Sequence, residues 1–133
     1  MKIEAIEGIG PKFAKKLRAI GIRSTGELLK KGAEKKGRAM IAEKTDITET
    51  LILEWVNLAD LFRIKGVGEE YSDLLEEAGV DTVKELRNRK PDNLHAKMLE
   101  VNAAKKLVRR PPALKAVESW VAQAKELPPV VKY

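Results

Sequence analysis

The fold of this chain is decided by the segment Ile6-Glu7-Gly8-Ile9-Gly10-Pro11-Lys12-Phe13-Ala14-Lys15-Lys16-Leu17, which is followed by Gly21-Ile22. The segment begins with an apolar-Gly-apolar-Gly turn and continues directly into an amphipathic helical pattern. Glycines permit a tight bend and allow another group to approach the first amides of the helix closely. The segment therefore predicts a turn that presents a helix N-terminus to a partner.

A second, altered copy lies 58 positions further on, at Ile64-Lys65-Gly66-Val67-Gly68-Glu69-Glu70-Tyr71-Ser72-Asp73-Leu74-Leu75, and is followed by Gly79-Val80. The offset pairs identical or similar residues throughout, namely Ile6 with Ile64, Gly8 with Gly66, Gly10 with Gly68, Phe13 with Tyr71, Leu17 with Leu75, Gly21 with Gly79, Glu27 with Glu85 and Leu28 with Leu86. This many matches at one offset indicate an internal duplication.

Helix signals follow one another along the chain, and strand signals are almost absent. Pro11 is placed as the first residue of a helix, and Gly21 as the glycine just beyond its end. Capping boxes start the next helix of each copy, at Ser24-x-x-Glu27 and at Thr82-x-x-Glu85. The sequence therefore predicts an all-α fold in which the helix caps are duplicated too.

Two helices are expected between the copies. The first should run from about Ala33 or Gly37 to Lys44, with Ala39, Met40 and Ile41 on its apolar side. The second should be capped by Asp46 or Thr48 and should carry a broad apolar stripe, made of Leu51, Ile52, Trp55, Val56, Ala59 and Phe62.

In the C-terminal third, Pro91 or Asp92 should start a helix whose inward residues are Leu94, Met98 and Leu99. Another turn or two should begin at Asn102 and run through Leu107 and Val108. Pro112 should then open a last helix, and Pro128-Pro129 should stop it.

The last predicted helix repeats an earlier one, because Ile52 to Ala59 matches Val117 to Ala124 at an offset of 65. The first copy is preceded only by Met1 to Ala5, which is too short for a stable helix. We therefore expect the Trp120 helix to fold back beside the first turn, as the Trp55 helix does beside the second. This closure predicts pseudo-two-fold internal symmetry, and the same closure between two chains would make a homodimer.

The composition indicates one compact unit, since 133 residues that are 44% apolar and 35% charged can bury a core. We predict a single helical domain over residues 1–133, with repeat one at 3–62, repeat two at 63–127 and a tail at 128–133. The hairpin turns lie at 6–10 and 64–68. The chain has no cysteine and no apolar run of the roughly 18 residues that span a membrane. Because Met1-Lys2 leads directly into the first motif, we expect a soluble, cytoplasmic protein with no signal peptide and no membrane partner.

The net charge of +6 is unevenly distributed along the chain. Residues 11–40 contain ten Lys or Arg against two acidic residues, whereas residues 41–89 contain six against twelve. Residues 90–133 are again basic, with nine against four. Such a distribution favours a nucleic-acid partner for the basic regions, although an abundance of Lys and Glu also occurs on heat-adapted surfaces.

The two copies resemble helix-hairpin-helix motifs, the small non-sequence-specific DNA-binding units of repair nucleases, glycosylases, polymerases, ligases and Holliday-junction proteins. Paired motifs of this kind form a five-helix unit. The whole chain also resembles a prokaryotic family of unknown function built on the duplicated motif. The residues that carry this resemblance are Ile6 to Gly10, Glu54-Trp55-Val56-Asn57, Arg63 to Tyr71, Glu100-Val101-Asn102 and Trp120.

The resemblance implies that the Gly-apolar-Gly turn offers backbone amides to a DNA phosphate while nearby cations supply charge. In the first copy, Gly8 and Gly10 would shape the turn, Ile9 would anchor it, and the charge would come from Lys12, Lys15, Lys16 and Arg18. A second basic cluster, Lys105, Lys106, Arg109 and Arg110, could extend the nucleic-acid contact or could simply be a solvated surface.

The second copy departs from this pattern, because its helix carries Glu69, Glu70, Asp73, Glu76 and Glu77. Carboxylates in the first turn stabilise the helix dipole themselves and repel phosphate. Gly66, Val67 and Gly68 are therefore expected to form a structural turn. The aromatic residues Trp55, Trp120, Phe13 and Tyr71 are expected in the core.

Catalysis is not indicated by any motif. His95 is the only histidine and is expected at the surface, cysteine is absent, and zincin, nucleophile-elbow, P-loop and dinucleotide patterns are missing. We expect no enzyme activity, cofactor, metal or small-molecule substrate. The leading hypothesis is a non-enzymatic module that binds DNA backbone mainly through the first hairpin. The alternative is a protein-protein interaction or self-assembly module that binds no nucleic acid.

Overall fold

The computed structural model describes all 133 residues as a chain of helices without strands, which confirms the all-α prediction. A short 3-10 helix at Ile3–Ala5 precedes eight α-helices: α1 Pro11–Ala19, α2 Thr25–Gly32, α3 Lys35–Thr45, α4 Glu49–Leu61, α5 Glu69–Glu77, α6 Val83–Arg87, α7 Pro91–Lys105 and α8 Leu114–Glu126. The chain divides into two compact units. Unit 1 comprises Met1–Asp60 with Pro129–Tyr133, and unit 2 comprises Leu61–Pro128. None of the helices has the length and apolar character that crossing a membrane requires.

Helix α1 begins and ends where its sequence predicts. Pro11 is its first residue, where the missing N–H of proline costs nothing. Gly21 follows its end with a φ of 86°, a conformation that favours glycine. The N–H of Gly21 donates to the carbonyl of Arg18, and that of Ile22 to the carbonyl of Leu17, both at 3.0 Å. These two bonds form a Schellman motif, which satisfies carbonyls at the end of the helix.

The capping residues of α2 and α6 are also those that the sequence predicts. The Oγ of Ser24 accepts from the N–H of Glu27 at 3.1 Å, and the Oγ1 of Thr82 accepts from the N–H of Glu85 at 2.9 Å. The Glu27 carboxylate reaches back to the N–H of Arg23 instead of that of Ser24. Local hydrogen bonding therefore fixes the start of both helices.

Helix α3 buries a different side from the predicted one. Its buried residues are Arg38, Ile41 and Thr45, whereas Ala39 is exposed and Met40 is 49% exposed. Helices α2 and α3 are joined so closely that a Cβ on Gly37 would lie 2.0 Å from the Lys31 carbonyl oxygen. This tight connection sets the rotation of α3, and Ile41 alone of the three predicted apolar residues is buried.

Helix α4 is capped by Thr48, whose Oγ1 accepts from the N–H of Leu51 at 3.3 Å. Asp46, the other candidate cap, instead ends α3 in a left-handed conformation with a φ of 59°. The predicted apolar stripe is largely confirmed, because Ile52, Val56 and Ala59 are buried.

Helix α7 is longer than predicted and does not restart at Asn102. It runs without a break from Pro91 to Lys105, with Leu94 and Met98 buried. Leu99 is 41% exposed, so its predicted inward orientation is wrong. Asn102 is buried near the end of the helix, where its side chain fixes the segment that follows.

Helix α8 starts at Leu114 and not at Pro112. Pro112 is buried in the connection between α7 and α8, residues 106–113, which we call the α7–α8 loop. The helix packs against α6 and α7, and its buried residues are Val117, Trp120, Val121 and Ala124.

The expected exchange of tryptophan helices between the two turns is wrong. Trp55 packs against Phe13 with ring centroids 5.2 Å apart, and Trp120 packs against Tyr71 at 5.3 Å. Each tryptophan thus lies on the hairpin that precedes it within its own unit. The helix that is closer along the chain already fills the site, and closing the shorter loop costs less entropy. Both indoles are almost fully buried, which confirms their predicted core role.

The last residues of the chain are bonded to unit 1. The N–H of Lys132 donates to the Ala33 carbonyl at 2.7 Å, and the Arg38 guanidinium donates to the Lys132 carbonyl at 2.7 Å. The hydroxyl of Tyr133 donates to the Asn57 side chain at 2.8 Å. Arg38 also donates to the carbonyls of Gly32 and Ala33, so its buried charge is held by three carbonyl groups.

Candidate nucleic-acid interface

The 6–10 turn combines a buried anchor with an exposed backbone. Ile9 is 4% exposed, as predicted, and its N–H donates to the Ile6 carbonyl. Gly8 has a φ of 95°, and a Cβ there would lie 3.3 Å from the Nε1 of Trp55. The inner side of the turn therefore packs against the Trp55 indole, while Gly8 and Gly10 are exposed to solvent.

The N-terminus of α1 has no side-chain cap. Gly10 is its N-cap residue, in an extended conformation with φ −86° and ψ −174°, and has no side chain to accept from the first-turn amides. Pro11 contributes no N–H, so the unbonded donors of the first helical turn come from Lys12 and Phe13. The partial positive charge of a helix N-terminus is thus presented beside an open turn.

Three lysines lie on the solvent side of α1. Successive residues of an α-helix are about 100° apart, which places Lys12, Lys15 and Lys16 within an arc of about 100°. Buried Ala14 and Leu17 lie on the opposite side. None of the three lysines forms an ion pair. We call this set the lysine face.

Arg18 does not belong to the lysine face. Its guanidinium donates to the carboxylate of Glu4 at 2.6 Å, which joins the end of α1 to the 3-10 helix. The hydrogen bond from Arg18, helped by a backbone hydrogen bond, lowers the pKa of the Glu4 carboxyl below its ordinary value. Of the four predicted cations, the structure therefore brings together three and pairs the fourth internally.

The 64–68 turn has nearly the same backbone geometry. Gly66 has a φ of 96°, and Gly68 is the uncapped N-cap of α5, with φ −106° and ψ −166°. Val67 is buried like Ile9. A Cβ on Gly66 would lie 2.9 Å from the Nε1 of Trp120. The turn is braced further by Gln123, whose amide bonds the N–H and the carbonyl of Lys65.

The first residues of α5 differ from those of α1 in charge. Glu69 and Glu70 are both exposed in its first turn, and neither caps the helix by a hydrogen bond. The sequence predicts that these carboxylates stabilise the helix dipole themselves and repel phosphate. In the structure they act only through their charge, which still opposes the approach of phosphate.

The four residues of the second predicted basic cluster differ in whether they form an ion pair. Lys105 forms an ion pair with Glu77 of α5. Lys106 is the C-cap of α7, with a left-handed φ of 52°, and Arg109 and Arg110 follow it in the α7–α8 loop. These three side chains are exposed and form no ion pair.

A family model described as a domain of unknown function, DUF4332, matches residues 7–127 of the chain. The chain belongs to this family. No solved structure matches it. The match covers the first turn from Glu7 onward, the whole second turn and both tryptophan helices of this DUF4332 protein, and it ends before the residues that return to unit 1.

Three side chains of the DUF4332 domain that hold the α7–α8 loop were not predicted. Asn102 and Tyr71 bond its backbone, and the Nε2 of His95 lies 2.9 Å from the Pro112 carbonyl oxygen, so His95 is not an ordinary surface residue. Asn102 was predicted only as the start of a further helical turn, although its polar side chain on the apolar face of Leu94 and Met98 was a signal of this role. No group of three or more His, Asp or Glu side chains in the domain is arranged to hold a metal ion.

Proposed function

We propose that this chain is a non-enzymatic module of two helix-hairpin-helix repeats that binds the sugar-phosphate backbone of DNA through unit 1. The observation that carries the proposal is the uncapped N-terminus of α1 next to the lysine face. Amides at a helix N-terminus bind anions, and lysines within the next turn add mobile positive charge.

The chemistry of this surface favours phosphate over bases. Backbone amides and lysine ammonium groups grip phosphate oxygens, which are the same at every base pair. The proposed binding is therefore weakly dependent on sequence and strongly dependent on salt, because each neutralised phosphate releases counterions.

The two units differ in their suitability for this role. The 6–10 turn is followed by Lys12 in the first turn of α1, whereas the 64–68 turn is followed by Glu69 and Glu70. Since the two turns have matching backbone angles, charge is the feature that separates them. Of the two hairpin turns, we therefore assign the phosphate contact to the 6–10 turn of unit 1.

The test is a fluorescence anisotropy titration with labelled duplex, single-stranded and branched DNA at about 50 and 200 mM salt. The wild-type protein should bind at the lower salt and weaken steeply at the higher one. Lys12→Glu combined with Lys16→Glu should abolish binding and leave the circular dichroism unchanged. The matched control is Lys84→Glu with Lys125→Glu, which changes the same charge at exposed positions of unit 2. Absence of salt-sensitive binding by the wild type would refute the proposal.

A second candidate function is protein-protein interaction or self-assembly. It is favoured by three large apolar side chains of unit 2 that remain open to solvent, Leu99, Leu107 and Leu114. Sedimentation velocity over a concentration series tests self-association. A Leu99→Ser variant that shifts an observed dimer to monomer would support this candidate, and a concentration-independent monomer would remove the self-assembly form of it.

A further inference from the structure

The first half of the α7–α8 loop is held by the end of α7. The N–H of Lys106 donates to the Asn102 carbonyl at 2.8 Å, which closes the helix. The Asn102 side chain then brackets Val108, accepting from its N–H at 2.9 Å and donating to its carbonyl at 3.1 Å. Both residues are buried, so water competes little for these bonds.

The second half of the loop is held by other elements. The Tyr71 hydroxyl of α5 donates to the Arg110 carbonyl at 3.0 Å, and His95 bonds the Pro112 carbonyl. Pro111 and Pro112 restrict the backbone further, because the proline ring fixes φ. The backbone from Lys106 to Pro112 is thus fixed at four points, which is unusual for a surface connection without regular structure.

The cationic side chains of this loop are open to solvent, whereas Val108 and Pro112 are buried. Lys106, Arg109 and Arg110 are exposed, while Lys105 is already paired with Glu77. Around the axis of α5, Tyr71 lies about 160° from both Glu69 and Asp73. Glu69 and Asp73 therefore lie on the side of α5 away from Tyr71, whereas Glu77 of the same helix reaches Lys105, next to the loop.

We propose that the α7–α8 loop, and not the 64–68 turn, is the phosphate-binding surface of unit 2. Lys106, Arg109 and Arg110 are its contact residues, and Asn102 and Tyr71 are positioning residues. This inference rests on the proposed DNA-backbone function and adds a second, independent contact surface to it.

Two physical arguments favour this assignment. An arginine guanidinium can bind a phosphate with two parallel hydrogen bonds, which a lysine cannot do. A loop whose backbone is already fixed loses less conformational entropy on binding than a flexible basic segment. The loop therefore supplies the positive charge of unit 2. The 64–68 turn lacks such charge because Glu69 and Glu70 follow it.

The decisive variant is Arg109→Gln with Arg110→Gln, measured by anisotropy on the full chain and a labelled duplex over a series of salt concentrations. Each lost phosphate contact lowers the slope of log K against log salt by about 0.9, so the double variant should lose close to two units of slope. At 0.1 M salt this corresponds to a loss of affinity of roughly 60-fold. The matched control, Lys84→Gln with Lys125→Gln, should keep the wild-type slope.

The positioning role needs its own variant. Tyr71→Phe removes only the hydroxyl that holds Arg110 and leaves every cation in place. We expect a several-fold loss of affinity with an unchanged salt slope, because the contacts remain while the loop becomes less ordered. An effect on thermal stability alone, with wild-type affinity, would assign Tyr71 a purely structural role and refute its positioning role.

The outcomes separate this inference from the function on which it rests. If Lys12→Gln with Lys16→Gln weakens binding while the double arginine variant keeps the wild-type affinity and slope, the proposed function stands and the loop assignment is wrong. If both pairs weaken binding, both stand. If the wild-type protein binds no DNA at low salt, both are refuted together.

Discussion

The indole of Trp120 lies against Gly66 so closely that its Nε1 is 2.9 Å from the position of a Cβ on that glycine. In unit 1, Trp55 stands in the same relation to Gly8, at 3.3 Å. In each unit the glycine has no side chain, so the tryptophan can pack against the inner side of the turn. The backbone of both glycines is in the left-handed region. Backbone strain and the nearby indole therefore both disfavour a residue with a Cβ at these positions.

Gly66→Ala should therefore destabilise the protein more than Gly8→Ala does. The left-handed backbone costs an alanine about 1 kcal/mol at either site. At Gly66 the new Cβ would also displace the indole, and we expect about 1 to 3 kcal/mol in addition. Urea unfolding followed by tryptophan fluorescence measures the difference.

The control for this comparison is Gly26→Ala in α2, where the nearest atom to a Cβ is the Ser24 Oγ at 3.9 Å. Alanine is the better helix former, so this change should be neutral or stabilise by up to about 1 kcal/mol. Equal free energies of unfolding for Gly66→Ala and Gly8→Ala would contradict the close packing of Trp120.

Arg38 is expected to be important for the stability of unit 1. It is 4% exposed and donates to the carbonyls of Gly32, Ala33 and Lys132. Arg38→Ala should lower the free energy of unfolding by about 3 kcal/mol, because it leaves carbonyls without a charged donor and opens a cavity. Arg38→Lys keeps the charge but cannot reach three carbonyls, and it should recover only part of the loss. Full recovery by lysine in urea unfolding would show that charge alone matters there.

The ion pair between Glu4 and Arg18 should make a small contribution to stability that depends on pH. The pKa of Glu4 is lower in the folded protein than in the unfolded chain, so the contribution is fully present above the ordinary glutamate range. It is lost as the pH falls through the lowered pKa of Glu4. An NMR titration should show the Glu4 pKa rising towards its ordinary value in Arg18→Gln. An unchanged titration curve would mean that Arg18 does not hold this carboxylate in solution.

Glu70→Lys should strengthen DNA binding. Lys12 is the residue at the matching position of unit 1, and the 64–68 turn already has the required backbone geometry. One added phosphate contact increases affinity by up to about eightfold at 0.1 M salt and steepens the salt slope by about 0.9. Glu118→Lys, on the exposed side of α8, makes the same change in charge and is the control for anisotropy measurements. An equal gain from both variants would indicate a nonspecific effect of net charge.

Features set by neighbouring residues could be predicted from the sequence. Hydrogen bonds that span at most five residues fix helix ends at Gly21, Ser24 and Thr82, and the ring of Pro11 favours a helix start. The burial of Ile9 follows from its place between two glycines. These parts of the fold and of the candidate site are local, and local patterns are what a sequence shows directly.

Features that depend on distant residues could not be predicted. Arg18 is separated from Glu4 by 14 positions and Lys105 from Glu77 by 28, so no pattern identifies either pair. One of the three carbonyls that accept from buried Arg38 belongs to Lys132, 94 positions away. The turn and the three lysines of the candidate site therefore remain a prediction, and two of its other predicted cations, Arg18 and Lys105, are ion-paired within the protein.

The return of residues 129–133 to unit 1 has a consequence for the order in which the protein is completed during synthesis. Residues 1–60 of unit 1 are translated before all of unit 2, yet Arg38 bonds the carbonyl of Lys132. Nascent domains generally fold from the N-terminus onward. Here the first unit must wait for all of unit 2 to be translated before its last hydrogen bonds can form. A stalled or truncated chain would keep the helices of unit 1 while lacking this final closure.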